Sequence, residues 1–158
     1  QSVDGEDFIL PGDSKYVFGS FALGRGAPSF SVSDVRWQRV DKREAQGDRE
    51  GFVASRSDFI FEKTSFLPSA GGLPARVSFE AVNRSAFGFW EPRFVVLLWR
   101  GSSLAGIQRV VIDRFLAGER RAAEFNLLDQ SAAVNRIEVI PDVNVFDPDV
   151  YMPPPAEE

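Results

Sequence analysis

Residues 76–101 carry the clearest pattern of hydrophobic and polar positions in the chain. Residues 76–81 alternate between polar and apolar side chains, which is the two-residue period of a strand with one buried face. Residues 94–99 are apolar at every position and lie between Pro92 and Gly101. A short apolar run of this kind between turn residues is typical of a strand covered on both faces. We therefore predict a pair of strands here, around which the other strands assemble.

Shorter stretches with a similar alternation predict the remaining strands. They lie within residues 15–23, 29–40, 52–66, 107–115, 121–128 and 134–140, and no window has a convincing helical period. The predicted fold class is all-β: an immunoglobulin- or fibronectin-III-like β-sandwich, preceded by the last strands of a second similar sandwich. Its main core is predicted to contain Val77, Phe79, Phe94, Val96, Leu98, Phe125 and Ile137.

A weak internal repeat suggests how the chain is divided. Residues 10–13, Leu-Pro-Gly-Asp, resemble residues 116–119, Leu-Ala-Gly-Glu, and each turn is followed by a strand, a loop and a strand. We expect residues 9–40 to superpose on residues 115–146, and we expect the chain to be a fragment of a longer tandem protein. The predicted organisation is residues 1–41 as the C-terminal strands of an incomplete first sandwich, 42–51 as a charged linker, 52–148 as a complete sandwich, and 149–158 as a disordered, acidic, proline-rich tail.

Composition restricts the chemistry that this chain can perform. Its 158 residues include no cysteine and no histidine. These absences exclude disulfides, cysteine nucleophiles, histidine general bases and zinc sites built from either residue. The net charge of −5 is concentrated after residue 137, and no basic face favours nucleic acid. We therefore expect no catalytic residues, no cofactor and no enzymatic activity.

Three aromatic residues between the two central strands are the candidate binding side chains. Phe87, Phe89 and Trp90 could stack on sugar rings or fill a pocket of a partner protein. The alternative is that these residues close one end of the sandwich core. If Trp90 is exposed beside Phe89, the binding interpretation gains support.

Two further clusters have simpler explanations. Asp142, Asn144, Asp147 and Asp149 carry oxygen ligands, but their spacing departs from a calcium-binding loop, so an ordinary turn is favoured and no metal is predicted. Residues 83–85 match a glycosylation sequon, a triplet that is common by chance. Glu80, Glu91 and Asp113 are the carboxylates that glycoside hydrolysis would need, and no spacing places any two of them together.

Several of these segments together resemble a known group of β-sandwich domains. Residues 82–85, Val-Asn-Arg-Ser, end a strand, residues 96–100 stand where the family has its name-giving motif, and residues 116–120 match its L-x-P-G-E turn. The second sandwich thus resembles FxLYD-like domains and the late-embryogenesis-abundant type-2 (WHy) domains. It departs from the motif at Val96, Trp99 and Arg100, where the family has Phe, Tyr and Asp.

The resemblance implies a scaffold or binding role. The whole chain is also similar to the C-terminal part of membrane-anchored tandem-sandwich proteins of candidate-phylum bacteria. This similarity implies a non-enzymatic structural or protein-interaction module of the cell envelope, anchored by an upstream segment. It also implies a protein partner or self-association. The alternative is a carbohydrate- or ligand-binding accessory domain that uses the loop aromatics. No stretch of this chain reaches the length of a membrane span.

Overall fold

The computed structural model describes residues 56–127, 134–145 and 147–153. All of them belong to the second of the two units into which the chain divides, Arg49–Glu158. The predicted incomplete sandwich, the charged linker and the first copy of the repeat lie outside the described residues.

The described chain forms six strands and two short 3-10 turns. The strands are β1 Phe59–Leu67, β2 Arg76–Asn83, β3 Arg93–Arg100, β4 Ser103–Val111, β5 Arg120–Asn126 and β6 Arg136–Pro141, and the 3-10 turns are Arg56–Asp58 and Pro148–Val150. Strand pairing is antiparallel throughout, in two sheets with the orders β1-β2-β5 and β4-β3-β6. No α-helix occurs in the described part of the chain. The predicted all-β class is thus confirmed, with two sheets consistent with a β-sandwich.

The core lies between the inner faces of these two sheets. Val77, Phe79, Phe94, Val96 and Leu98 are buried there, as predicted, and the predicted members Phe125 and Ile137 are partly buried against them. Phenylalanine rings fill one end of this core, with centroids of Phe59 and Phe89 5.1 Å apart and those of Phe59 and Phe94 5.4 Å apart. Such tilted and edge-on contacts are favoured by aromatic quadrupoles.

Strand β3 is buried on both of its faces, as its sequence predicted. Val95 and Leu97 alternate with the core-facing residues of β3 and are 4% and 0% exposed. Because β3 pairs with β4 on one side and with β6 on the other, its backbone is also satisfied along both edges.

Local irregularities mark the edges of the sheets. Strand β1 has a bulge between Glu62 and Ser65, where Lys63 takes a left-handed backbone conformation with φ of 51°. Strand β4 shifts register opposite Leu98 and Trp99. At the end of β6, the Asp142 amide donates to the Arg93 carbonyl of β3, 2.8 Å away. The preceding nitrogen, that of Pro141, therefore faces away from β3, where a missing N–H does not interrupt the ladder.

Three chain segments meet at the end of the sandwich where β2 and β4 end and β3 and β5 begin. We call this assembly the cap; its described segments are 84–92, 112–119, and 142–145 with 147–153. Its last segment corrects the predicted domain boundary. Tyr151 forms a β-bridge with Phe89, and the Met152 amide donates to the Gly88 carbonyl, 2.9 Å away. The ordered domain thus continues through residue 152, because these residues satisfy the backbone of the cap.

Candidate functional site

Phe89 lies at the centre of the cap and belongs to the core. Its amide and carbonyl exchange two hydrogen bonds of 2.8 Å with Phe115, and Tyr151 pairs with its other edge. The side chain is 0% exposed and its ring packs against those of Phe59 and Tyr151. The prediction of Phe89 as a ligand-binding side chain is therefore wrong, since its ring cannot reach a ligand without opening the core.

Phe87 occupies the border between core and solvent. Its side chain is 38% exposed, and its ring makes an edge-on contact with Tyr151 at 5.9 Å between centroids. The Phe87 carbonyl accepts a hydrogen bond of 2.7 Å from the Asn83 amide group. The ring is thus held at its position and presents only part of its surface to solvent.

Trp90 is the most exposed of the three predicted binding residues, and its backbone is fixed. Its side chain is 41% exposed. Its amide donates to the Val150 carbonyl at 3.0 Å, and its carbonyl accepts from the Arg114 amide at 2.6 Å. Phe87 and Trp90 are therefore exposed to a similar extent, whereas Phe89 between them is buried.

Backbone pairing places residues of all three cap segments next to Gly88 and Trp90. Leu116 is 48% exposed, and Arg114 is also exposed. The Met152 side chain covers Gly88, with its Sδ only 3.0 Å from the position that a Cβ of residue 88 would occupy. We call the surface formed by Gly88, Trp90, Arg114, Leu116 and Met152 the cap face. It presents an indole, a guanidinium, an aliphatic side chain and a thioether.

The side chain of Asn83, the last residue of β2, forms hydrogen bonds with two of the cap segments. Its side-chain amide donates to the carbonyls of Phe87 and Leu116, at 2.7 and 2.9 Å, and its side-chain oxygen accepts hydrogen bonds from the Ser85 backbone amide at 3.0 Å and hydroxyl at 2.7 Å. The residue is 0% exposed. The sequon at residues 83–85 is thus a structural motif, because its asparagine is buried and fully engaged.

Glu119 fixes the turn that presents Leu116. Its carboxylate accepts a hydrogen bond of 2.7 Å from the Leu116 amide and also binds the Arg121 guanidinium. Gly118 in this turn has a φ of 71°, a left-handed conformation that suits glycine. Partial desolvation opposes ionisation of Glu119, but the bonds from Leu116 and Arg121 prevail and lower the pKa of its carboxyl. The turn is joined to β2 by a hydrogen bond of 2.9 Å from the backbone amide of Asn83 to the backbone carbonyl of Glu119.

Other polar groups near the cap are likewise engaged in holding the chain. The Asp147 carboxylate accepts the Asp149 amide at 2.9 Å, which caps the last 3-10 turn. No group of three or more acidic side chains within residues 56–127, 134–145 and 147–153 is arranged to hold a metal ion. Glu80, one of the three carboxylates considered from the sequence, is paired with Lys63 and Arg120 on the sheet.

Sequence reasoning identified Trp90 but missed its neighbours on the cap face. Leu116 is the first residue of the turn that matches the L-x-P-G-E motif. An apolar side chain at the start of a turn is the signal that could have identified Leu116 as a surface residue. The three prolines directly after Met152 predict a disordered tail there, and this prediction does not bring Met152 to the cap face. No local pattern indicates that Met152 covers Gly88, since that contact joins distant parts of the chain.

Comparisons with models of known protein families, with curated proteins and with solved structures give no match for this chain. The resemblance to FxLYD and WHy domains therefore remains an expectation. Within the described residues, no helix has the length and apolar character needed to cross a membrane.

Proposed function

We propose that this domain is a non-enzymatic protein-interaction module and that its cap face contacts the partner. The observation that carries the proposal is the exposure of Trp90 and Leu116, 41% and 48%, on a backbone closed by hydrogen bonds. Large apolar side chains held rigidly at the surface lose little conformational entropy on binding. Neighbouring exposed apolar groups of this kind mark interaction surfaces more often than isolated ones do.

The chemistry of the cap face favours a protein over a saccharide. Aromatic residues, methionine and arginine are enriched at protein interfaces, and tryptophan and arginine dominate their binding energy. A sugar site needs polar side chains that are available to hydroxyl groups. Near the cap face, the amide of Asn83, the hydroxyl of Ser85 and the carboxylate of Glu119 are engaged with other parts of the chain, so the polar groups left to a ligand are charged side chains such as Arg114 and Glu91.

The strand order supports the proposal that the sandwich is immunoglobulin-like. The first, second and fifth strands share one sheet and the third and sixth share the other, as in an immunoglobulin domain, although β4 pairs with β3 and does not join the sheet of β1, β2 and β5. Domains of this architecture commonly present binding residues on the loops at one end, and the cap occupies such an end.

A photo-crosslinking experiment tests the proposed contact. A benzophenone amino acid placed at position 90 of the full-length protein, expressed in its natural host, should form a covalent adduct with a protein on illumination. The matched control is position 73, because Leu73 is 71% exposed in the loop at the opposite end of the sandwich. An adduct at position 90 that is absent at position 73 is the expected result.

Two outcomes would contradict this proposal. Equal yields at positions 90 and 73 would show that the cap face is not a preferred contact. Adducts with glycans, together with quenching of Trp90 fluorescence by soluble oligosaccharides, would instead favour the alternative of a carbohydrate-binding accessory domain. That alternative depends on the exposed indole of Trp90 and the partly exposed ring of Phe87.

We also propose, from the sequence resemblance, that the protein is located in the cell envelope and anchored by a membrane segment. Cell fractionation of the epitope-tagged full-length gene product tests this location. Recovery in the membrane fraction with the tag accessible to external protease is expected, whereas a soluble cytosolic protein would rule it out.

A further inference from the structure

We propose that the partner of the cap face is the cap face of a second copy of this chain. This inference depends on the proposed function and names its occupant. Its starting point is that exposed charges of both signs lie on the cap segments, beside the cap face or within it: Arg84, Glu91, Asp113, Arg114 and Asp149. Among the described residues, no salt bridge includes any of these five side chains.

The mixture of charges makes this surface complementary to itself. A partner with charge of a single sign would be repelled by part of this surface, whereas a copy related by a twofold axis can place its acidic residues opposite the basic ones. Twofold interfaces use the same patch on both subunits, and they are the commonest in soluble oligomers. Charges at the rim then set orientation and specificity around the apolar centre.

The apolar centre also suits a twofold contact. Trp90 lies beside Arg114, because their backbones are joined by a hydrogen bond of 2.6 Å. In a symmetric pair, each indole can approach the guanidinium of the other copy, which gives two cation–π contacts about one axis. Met152 adds a flexible thioether that adjusts to the opposing surface.

The sheet edges are less suited to self-association than the cap face. Strand β1 has the bulge at Lys63, β4 has a register shift, and the outer edge of β6 lacks a donor at Pro141. The fourth edge strand, β5, carries charged side chains at Arg120, Arg121 and Glu124, which also hinder pairing with another chain. Bulges and edge prolines are the devices by which natural sheets prevent pairing with another chain. The cap face has no such protection.

Sedimentation velocity on the purified chain, over a wide range of concentration, tests the inference. We expect reversible dimers, and we expect Trp90→Ala to raise the dimer dissociation constant about tenfold or more, as loss of an interface hot spot does. Leu73→Ala, at the opposite end, should leave the constant unchanged. Circular dichroism melts of both variants establish that each is folded.

A charge-swap experiment tests the geometry. The single variant Arg114→Glu should be monomeric when it is measured by itself, because like charges then face each other. The same is expected of the double variant Glu91→Arg, Asp113→Arg. An equimolar mixture of the two should recover association. A dimer of the unaltered chain that neither Trp90→Ala nor the charge changes weaken would overturn the inference.

The inference can fail while the proposed function stands. A chain that stays monomeric at every concentration, but whose position 90 crosslinks to a different protein in the host, overturns the second copy as partner only. A monomeric chain with no adduct at position 90 overturns both proposals.

Discussion

Asn83 is the single residue on which the cap depends most. Its buried amide donates two hydrogen bonds to loop carbonyls and its oxygen accepts two from Ser85. Replacement by alanine removes the side-chain partner of these part-buried groups, and a buried group left unsatisfied costs about 1–3 kcal/mol. We expect Asn83→Ala to lower the free energy of unfolding by about 2–4 kcal/mol, measured by urea denaturation.

Asn126 provides the matched control for this prediction. It lies at the exposed end of β5, so Asn126→Ala should change stability by no more than about 0.5 kcal/mol. Equal effects of the two substitutions would show that the Asn83 network is not important for stability.

Gly88 leaves room for the Met152 side chain, which packs directly against it. A Cβ at residue 88 would lie 3.0 Å from Sδ and 3.2 Å from Cβ of Met152. Gly88→Ala should therefore destabilise the domain by about 1–3 kcal/mol, as overpacking does. The double variant Gly88→Ala with Met152→Ala should recover part of that loss, which thermal denaturation can measure. No recovery would mean that the contact does not cause the effect.

These residues also show where sequence reasoning was adequate and where it was not. The core positions of β2 and β3 could be predicted because their alternation is local and regular. Phe89 could not be assigned, because its burial is determined by pairing with Phe115 and Tyr151, which are distant in sequence. Trp90, the next residue, is also an aromatic residue in the same predicted loop, but its side chain is exposed.

Among the strands, β3 should dominate the energetics of folding. Leu98 is 2% exposed in the core, so Leu98→Ala should cost about 2–5 kcal/mol in unfolding free energy. Leu104, in the adjacent strand β4, is exposed, and Leu104→Ala should cost no more than about 0.5 kcal/mol. Denaturant titration of both variants measures the difference, and similar costs would contradict the assigned burial.

Strand β6 depends on Pro141 to limit its outer edge. The proline nitrogen faces away from β3, so Pro141→Val would add a free donor to that edge without breaking the existing ladder. We expect faster aggregation at elevated temperature, followed by light scattering, with little change in denaturation midpoint. Pro74→Val, in an exposed loop position, is the control and should not accelerate aggregation.

The stability of the domain should depend on pH through a charge network on the β1-β2-β5 sheet. Hydrogen bonds from Lys63 and then Arg120 lower the pKa of Glu80 below the ordinary 4.5, and Glu119 shifts in the same direction. A carboxyl whose folded pKa is depressed stabilises the fold fully above its unfolded pKa and loses that contribution as pH falls through the folded value. Urea midpoints should therefore decline below about pH 4.5.

Substitution identifies the carboxyls responsible for this decline. Glu80→Gln and Glu119→Gln should each make the dependence on pH shallower. Glu91→Gln, at an exposed position without a salt bridge among the described residues, should not. An unchanged slope in all three variants would assign the acid sensitivity to other groups.

The position of β3 between two partners has a consequence for synthesis of the protein. β4 follows β3 after a short turn, but β6, its second partner, ends only at Pro141. At roughly 5–20 residues per second, a ribosome needs several seconds to make the intervening segment. During that time one edge of an uncharged run, residues 94–99, is open on the nascent chain. This segment is where a chaperone that recognises extended apolar peptides would act first.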